Sequence, residues 1–267
     1  MPQPFNQLPQ SVLQLSRAMR LGPHQVPALL VHPHWDAAAG RVTQPAPVLV
    51  WMHGRTVNKE LDPGRYLRLA RAGIASCALD LPGHGERHDH SRQTPDRTLE
   101  VVAQMADEVP SVVDALHATG EHAGHRMAVG GMSAGGMAAL VALTRPHHFA
   151  AALLESTTGS WEHQRHRAMF QPALAQQLNP IHHVDQWQDI PVLGLHSQKD
   201  EWVDVAGQRA FFESIRARSS QPHHVVLHEF PETGAPHEHS GFGRVASLAK
   251  DLGTAFLAQH LLPDQAS

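Results

Sequence analysis

A chain of 267 residues, 42% hydrophobic and 17% charged, has enough apolar mass to bury a core and is not of the disordered type. A formal net charge of −4 without any basic block argues against nucleic acid as a partner, and the single cysteine, Cys77, excludes an internal disulfide framework. No segment is apolar enough for a bilayer span and the start MPQPFNQLPQ lacks the basic and apolar parts of a signal peptide, so a cytoplasmic protein with no membrane partner is expected.

In chain order, short aliphatic and β-branched runs predict strands over 26–31, 48–52, 74–79, 126–130, 150–154, 192–195 and 225–229. Apolar residues at helical spacing predict helices over 64–72, 98–117, 134–143, 205–217 and 244–261. This alternation is that of an α/β domain, a mainly parallel central sheet flanked by helices, spanning 1–267 without a linker. The first two runs are joined by a Pro/Gly-containing loop, which suggests an antiparallel hairpin. The stretch 156–188, rich in Trp, His, Gln and Met, breaks the rhythm and reads as a short cap or lid insertion. Its Trp161, Met169 and Phe170 are candidates for the substrate pocket, with Leu174 and Leu178 on the same apolar side.

The 23 histidines recur in doublets such as His32/His34, His147/His148 and His237/His239. There is neither an HExxH pattern nor a pair of cysteines at ligand spacing, so these imidazoles read as surface composition; no metal and no cofactor is expected.

Residues Gly131-Met132-Ser133-Ala134-Gly135 fit G-x-S-x-G and fall where a predicted strand turns into a predicted helix. A serine exposed on so sharp a corner has strained dihedrals, and glycine two positions to either side removes collisions with the adjoining strand and helix. The helix start behind it supplies unpaired backbone N–H groups. A serine hydroxyl needs a base and an orienting carboxylate, expected in the order Ser, acid, His. Asp200 leaves the carboxyl end of a predicted strand, where ligand chemistry sits on parallel sheets. Its rivals are Asp204, better placed to cap the following helix, and Glu155. His237 and His239 share the loop before the last helix, and spacing does not separate them. The backbone N–H groups of Arg55, after the strand-ending His53-Gly54, and of Ala134 are candidate oxyanion-hole donors. The Arg55 side chain is also a candidate to meet a substrate carboxylate.

His53-Gly54, Asp80-x-x-Gly83-His84-Gly85, Gly131-x-Ser133-x-Gly135, Asp200 and the loop histidine resemble, in that order, the α/β-hydrolase superfamily. Motif by motif the chain is similar to small bacterial serine carboxylesterases of the dienelactone-hydrolase and prolyl-oligopeptidase-like branch, over about 26–262. The resemblance implies the α/β-hydrolase fold and the triad Ser133, Asp200, His237. It points to His237 because the family's loop histidine sits in Gly-x-Gly-His-Glu, which Gly234-Ala235-Pro236-His237-Glu238 matches except for proline at the second glycine. Dienelactone hydrolases proper use a cysteine nucleophile, from which Ser133 departs.

The function expected from these residues is hydrolysis of a small-molecule carboxylic ester, of short acyl chain because so short an insertion builds no long apolar tunnel. A peptidase or acyl-amino-acid hydrolase, a thioesterase, and a non-catalytic binding protein are the alternatives. Peptidase relatives usually carry a large N-terminal domain, whereas about 25 residues precede the first predicted strand here. The sequence leaves the oligomeric state open.

Overall fold

The computed structural model describes residues 8–263; the first seven residues, on which much of the leader reading rests, lie outside them. In chain order the strands are β1 (Ser16–Leu21), β2 (Val26–Val31), β3 (Trp35–Asp36), β4 (Arg41–Val42), β5 (Ala46–Met52), β6 (Ala75–Leu79), β7 (His122–Met132), β8 (Ala151–Glu155), β9 (Val192–Ser197) and β10 (Val225–Phe230). The helices are α1 (Gln10–Leu13), α2 (Pro63–Arg71), α3 (Thr98–Thr119), α4 (Ala134–Leu143), α5 (Pro172–Leu178), α6 (Val205–Arg216) and α7 (Ala246–Leu261). Eight strands form one sheet in the order β1-β2-β6-β5-β7-β8-β9-β10. Every pairing from β6 to β10 is parallel, and β2 alone runs against its neighbours.

The central strands are apolar throughout because helices cover both faces. On β5 the residues alternate between two cores: Val48, Val50 and Met52 face α3, α4 and α6, while Leu49 and Trp51 face α2 and α7. All ten residues of α4 are buried, so this helix is apolar all round and needs no polar face. Among the described residues no helix is long and apolar enough to cross a membrane.

The expected hairpin between 26–31 and 48–52 does not form. The two-stranded ribbon β3–β4 carries the chain away, β5 inserts at the middle of the sheet, and β2 pairs instead with β6 and β1. Strand β1, Ser-Arg-Ala-Met-Arg-Leu, is a partly exposed edge whose two arginines hide it from a search for apolar runs.

The stretch 156–188 holds two 3₁₀ segments and the short α5 rather than a lid standing clear of the body. Its Trp161 is wholly buried, its backbone N–H donating to Asn179 Oδ1 at 3.0 Å and its indole N–H to the Thr158 carbonyl at 3.2 Å. Met169, Ala175 and the half-buried Phe170, Leu174 and Leu178 join the core on the α3–α4–α6 face. Burial of the insertion's apolar side chains consumes the surface a free lid would turn toward substrate.

Candidate active site

Four chain segments converge at the carboxyl edge of the sheet. Ser133 sits between β7 and α4 at φ 52°, ψ −120°, a conformation an L-residue adopts only when its surroundings impose it. The surroundings are specific. The Ser133 N–H donates to the Glu155 carbonyl at 2.9 Å, and its carbonyl accepts from Met137 N–H and from the Thr157 hydroxyl, both at 2.9 Å. A Cβ on Gly131 would lie 2.5 Å from the Gly135 carbonyl carbon and 2.6 Å from the Met52 oxygen, and one on Gly135 would overlap the carbonyls of Met52 and His53. Strand, corner and helix can approach this closely only because both positions lack a side chain.

Asp200 follows β9, and its carboxylate is fully buried. Oδ1 accepts from the Trp202 and Val203 N–H groups at 2.9 and 2.7 Å, which fixes the plane of the carboxylate before any histidine is considered. Oδ2 lies 2.8 Å from His239 Nδ1. Burial by itself would raise this carboxyl, but His196 and His239 against it hold it below the ordinary aspartate value. An ionised carboxylate only accepts, so the His239 proton sits on Nδ1 and leaves Nε2 free to accept. Nε2 stands 2.9 Å from Ser133 Oγ, closing a Ser133–His239–Asp200 relay across three strand ends.

The structure thus places His239, not His237, against the serine. The two differ by one turn of backbone. His237 lies at φ 55° and its ring turns outward, 54% exposed, with Nδ1 3.0 Å from Glu201 Oε2. Pro236 opens a 3₁₀ turn where the Gly-x-Gly-His-Glu pattern has glycine, and that turn carries the chain two residues further before an imidazole faces inward. Glu238 pins the turn: its carboxylate accepts from the Ser197 hydroxyl, the Thr233 N–H and hydroxyl, and the Gly234 N–H, at 2.6–2.8 Å. Trp202 lies over both histidines, stacked on His237 at 4.9 Å between centroids and tilted toward His239 at 5.1 Å.

Of the rivals, Asp204 caps α6 by accepting from Ala206 N–H at 2.8 Å, and Glu155 is buried in an ion pair with Arg65 at 2.7 Å. His53 supports from beneath: its Nε2 accepts from Leu81 N–H at 3.1 Å, and burial, first of all, lowers its pKa to about 4. Gly54 brings the following chain against the nucleophile, since a Cβ there would sit 3.6 Å from that of Ser133. Among the described residues neither Arg55 N–H nor Ala134 N–H donates to a protein acceptor. Two hollows flank Ser133. The larger, about 410 Å³, is walled by Trp51, Tyr66, Met132 and Phe242 with Arg65 and Glu155 among its polar lining. The smaller, about 180 Å³, is lined by Arg55, Thr98, Met137, Arg167 and Met169. Trp202 and His239 border both.

Of the three pocket candidates in the insertion, Met169 lines the smaller hollow, whereas Trp161 and Phe170 do not. Sequence reasoning passed over Trp202, Arg167 and Glu238. Trp202 had a usable signal, an aromatic two residues after the expected acid, and Glu238 another, as the glutamate of the Gly-x-Gly-His-Glu pattern. Among the described residues no three His, Cys, Asp or Glu side chains are placed to hold a metal ion.

The prolyl oligopeptidase family model matches residues 64–261. No curated protein matches the chain. Among solved structures, the Thermus thermophilus protein TT1662 superposes with a TM-score of 0.71 at 22% identity, covering 93% of this chain and 99% of its own. A Mycobacterium tuberculosis puromycin-hydrolyzing peptidase gives 0.72 at 20% identity, and the acylaminoacyl peptidase of Pyrococcus horikoshii 0.68 at 16%. These two matches cover 97% and 94% of this chain but only 41% and 42% of the peptidases' own length.

Proposed function

From the premise that the chain belongs to the prolyl oligopeptidase family of serine hydrolases, we propose that it cleaves carboxylic esters of short acyl chain through an acyl-enzyme on Ser133. One observation carries the mechanism: Ser133 Oγ, at a strained corner, lies 2.9 Å from a histidine whose other nitrogen is held by a buried aspartate. In this reading Oγ attacks the ester carbonyl as its proton passes to His239 Nε2. Asp200 keeps the tautomer and stabilises the imidazolium that results. The Arg55 and Ala134 N–H groups receive the oxyanion, each worth ~3 kcal/mol in such a site. Collapse of the tetrahedral intermediate breaks the C–O bond, and the leaving alkoxide takes the proton from His239. Water, deprotonated by the same nitrogen, then releases the acid and restores Ser133.

Short acyl chains are supported by hollows of about 410 and 180 Å³ and by an insertion folded onto the body instead of arching into a tunnel. Each methylene adds ~0.8 kcal/mol only while it is buried. The peptidases among the structural neighbours favour a second reading, since the same three side chains serve amides. A fluorophosphonate should label Ser133, and among p-nitrophenyl esters kcat/KM should be highest from acetyl to butyryl and fall beyond about six to eight carbons. Best turnover on palmitate would remove the short-chain reading. Cleavage of an acyl-aminoacyl anilide as fast as of the ester would put the peptidase first.

A further inference from the structure

We propose that the smaller hollow beside Ser133 selects substrates bearing a carboxylate a few bonds from the scissile carbonyl, held between Arg55 and Arg167. The inference rests on the serine-hydrolase reading and names the substrate class of that site.

Arg55 reaches the hollow from the end of β5 and Arg167 from the insertion, two segments far apart in sequence. Both are partly buried, and neither has a carboxylate within 4.0 Å among the described residues. Arg55 Nη1 donates to the Gln93 carbonyl at 2.7 Å and Arg167 Nη1 to the Glu201 carbonyl at 2.8 Å. These bonds fix the side chains in place and leave most of the donors on each guanidinium without a protein acceptor.

Arg65, which lines the larger hollow, and Arg87, away from both, are treated differently. Arg65 is paired with Glu155 at 2.7 Å, and Arg87 with Glu108 through two bonds of 2.7 Å. Glu201, beside the lining residue Trp202, turns its carboxylate to His237. Two like charges therefore share one pocket; burial, and after it repulsion from Arg167, lowers the Arg55 pKa. A planar carboxylate between two forked guanidiniums relieves that repulsion and gains charge-assisted hydrogen bonds that no neutral group supplies. The remaining lining, Thr98, Met137 and Met169, fits the short apolar link between that carboxylate and the reacting carbonyl.

The carboxylate can belong to the acyl half of the substrate or to its leaving group, and matched pairs separate the two. For the acyl half, mono-4-nitrophenyl glutarate is compared with 4-nitrophenyl valerate. For the leaving group, 4-acetoxybenzoate is compared with its methyl ester. In one arm the anionic member should exceed its neutral partner in kcat/KM by about tenfold or more, the worth of one charge-assisted hydrogen bond. Arg167→Gln and Arg55→Gln should each cut that ratio by about tenfold, Arg167→Lys should restore part of it, and high salt should shrink it. Ratios at or below one in both arms would overturn the proposal, and so would a variant that slows both members equally. Turnover of the neutral esters and its loss in Ser133→Ala test the serine-hydrolase reading separately. Should no ester turn over, binding of glutarate and of benzoate to Ser133→Ala, followed by tryptophan fluorescence beside Trp202, still decides. Saturable binding of either that is lost in Arg167→Gln supports the pocket, and no binding of either rejects it.

Discussion

The nucleophile corner and the histidine loop both hold residues with side chains in left-handed backbone, Ser133 at φ 52° and His237 and Glu238 at φ 55° and 48°. They reach that state by opposite means. At the corner, Gly131 and Gly135 let strand, turn and helix close to contact distances at which no other backbone path fits. In the loop Gly243 also packs closely on the Thr233–Ala235 backbone, but His237 and Glu238 themselves are held by a single carboxylate, Glu238, which gathers donors from Ser197, Thr233 and Gly234. One strained conformation is imposed by shape and is indifferent to pH. The other is held by charge and is not.

The largest effect should separate the two histidines of the loop. His239→Ala should lower kcat on p-nitrophenyl butyrate by several orders of magnitude, as loss of a triad base does elsewhere. His237→Ala, which removes an exposed ring stacked on Trp202, should stay within about threefold of the parent. The reverse ranking would return the base to His237.

At the corner, Gly135→Ala drives a methyl group into the Met52 and His53 carbonyls and should cost about 1–3 kcal/mol, read from the urea midpoint. An unchanged midpoint would show that shape does not hold the corner. The smallest effect concerns Glu238. Burial alone would raise its carboxyl, but the hydrogen bonds from Ser197, Thr233 and Gly234 bring it down to about 2. A pKa depressed from an unfolded value of about 4.3 means stability fully present above that pH and lost as pH falls toward 2. Glu238→Gln should therefore lower the urea midpoint modestly at pH 7, where that contribution is fully present, and flatten its fall between pH 5 and about 2, so that the two proteins converge at the acid end. Parallel curves for the two proteins would break the contrast between a loop held by charge and a corner held by shape.

The same contrast explains what could be read from the sequence. Steric requirements leave glycine in fixed places, so the strand–turn–helix around Ser133 was legible residue by residue. Asp200 was legible for another reason, its place just past the carboxyl end of an apolar strand. The choice between His237 and His239 was not, because it depends on one turn of backbone set by Pro236 and by the donors Glu238 collects from Ser197 at the end of β9 and from Thr233 and Gly234 earlier in the loop. Trp161 misled in another way. An aromatic in a polar insertion reads as pocket, yet wherever a chain can bury such a ring it gains more than by lining solvent, and here it is wholly buried. The edge strand β1 went unread because its arginines mask its pairing, which is backbone alone.

The contact between Ser133 and His239 spans 106 residues of chain. During synthesis the corner at β7 and α4 is made long before β10 and the loop behind it emerge, and parallel pairing of that kind is slow to form. A nascent chain thus carries a shaped but unassisted serine, chemically inert until its last strand docks. Recovery of hydrolytic activity on refolding should therefore report the docking of β10 and the loop behind it.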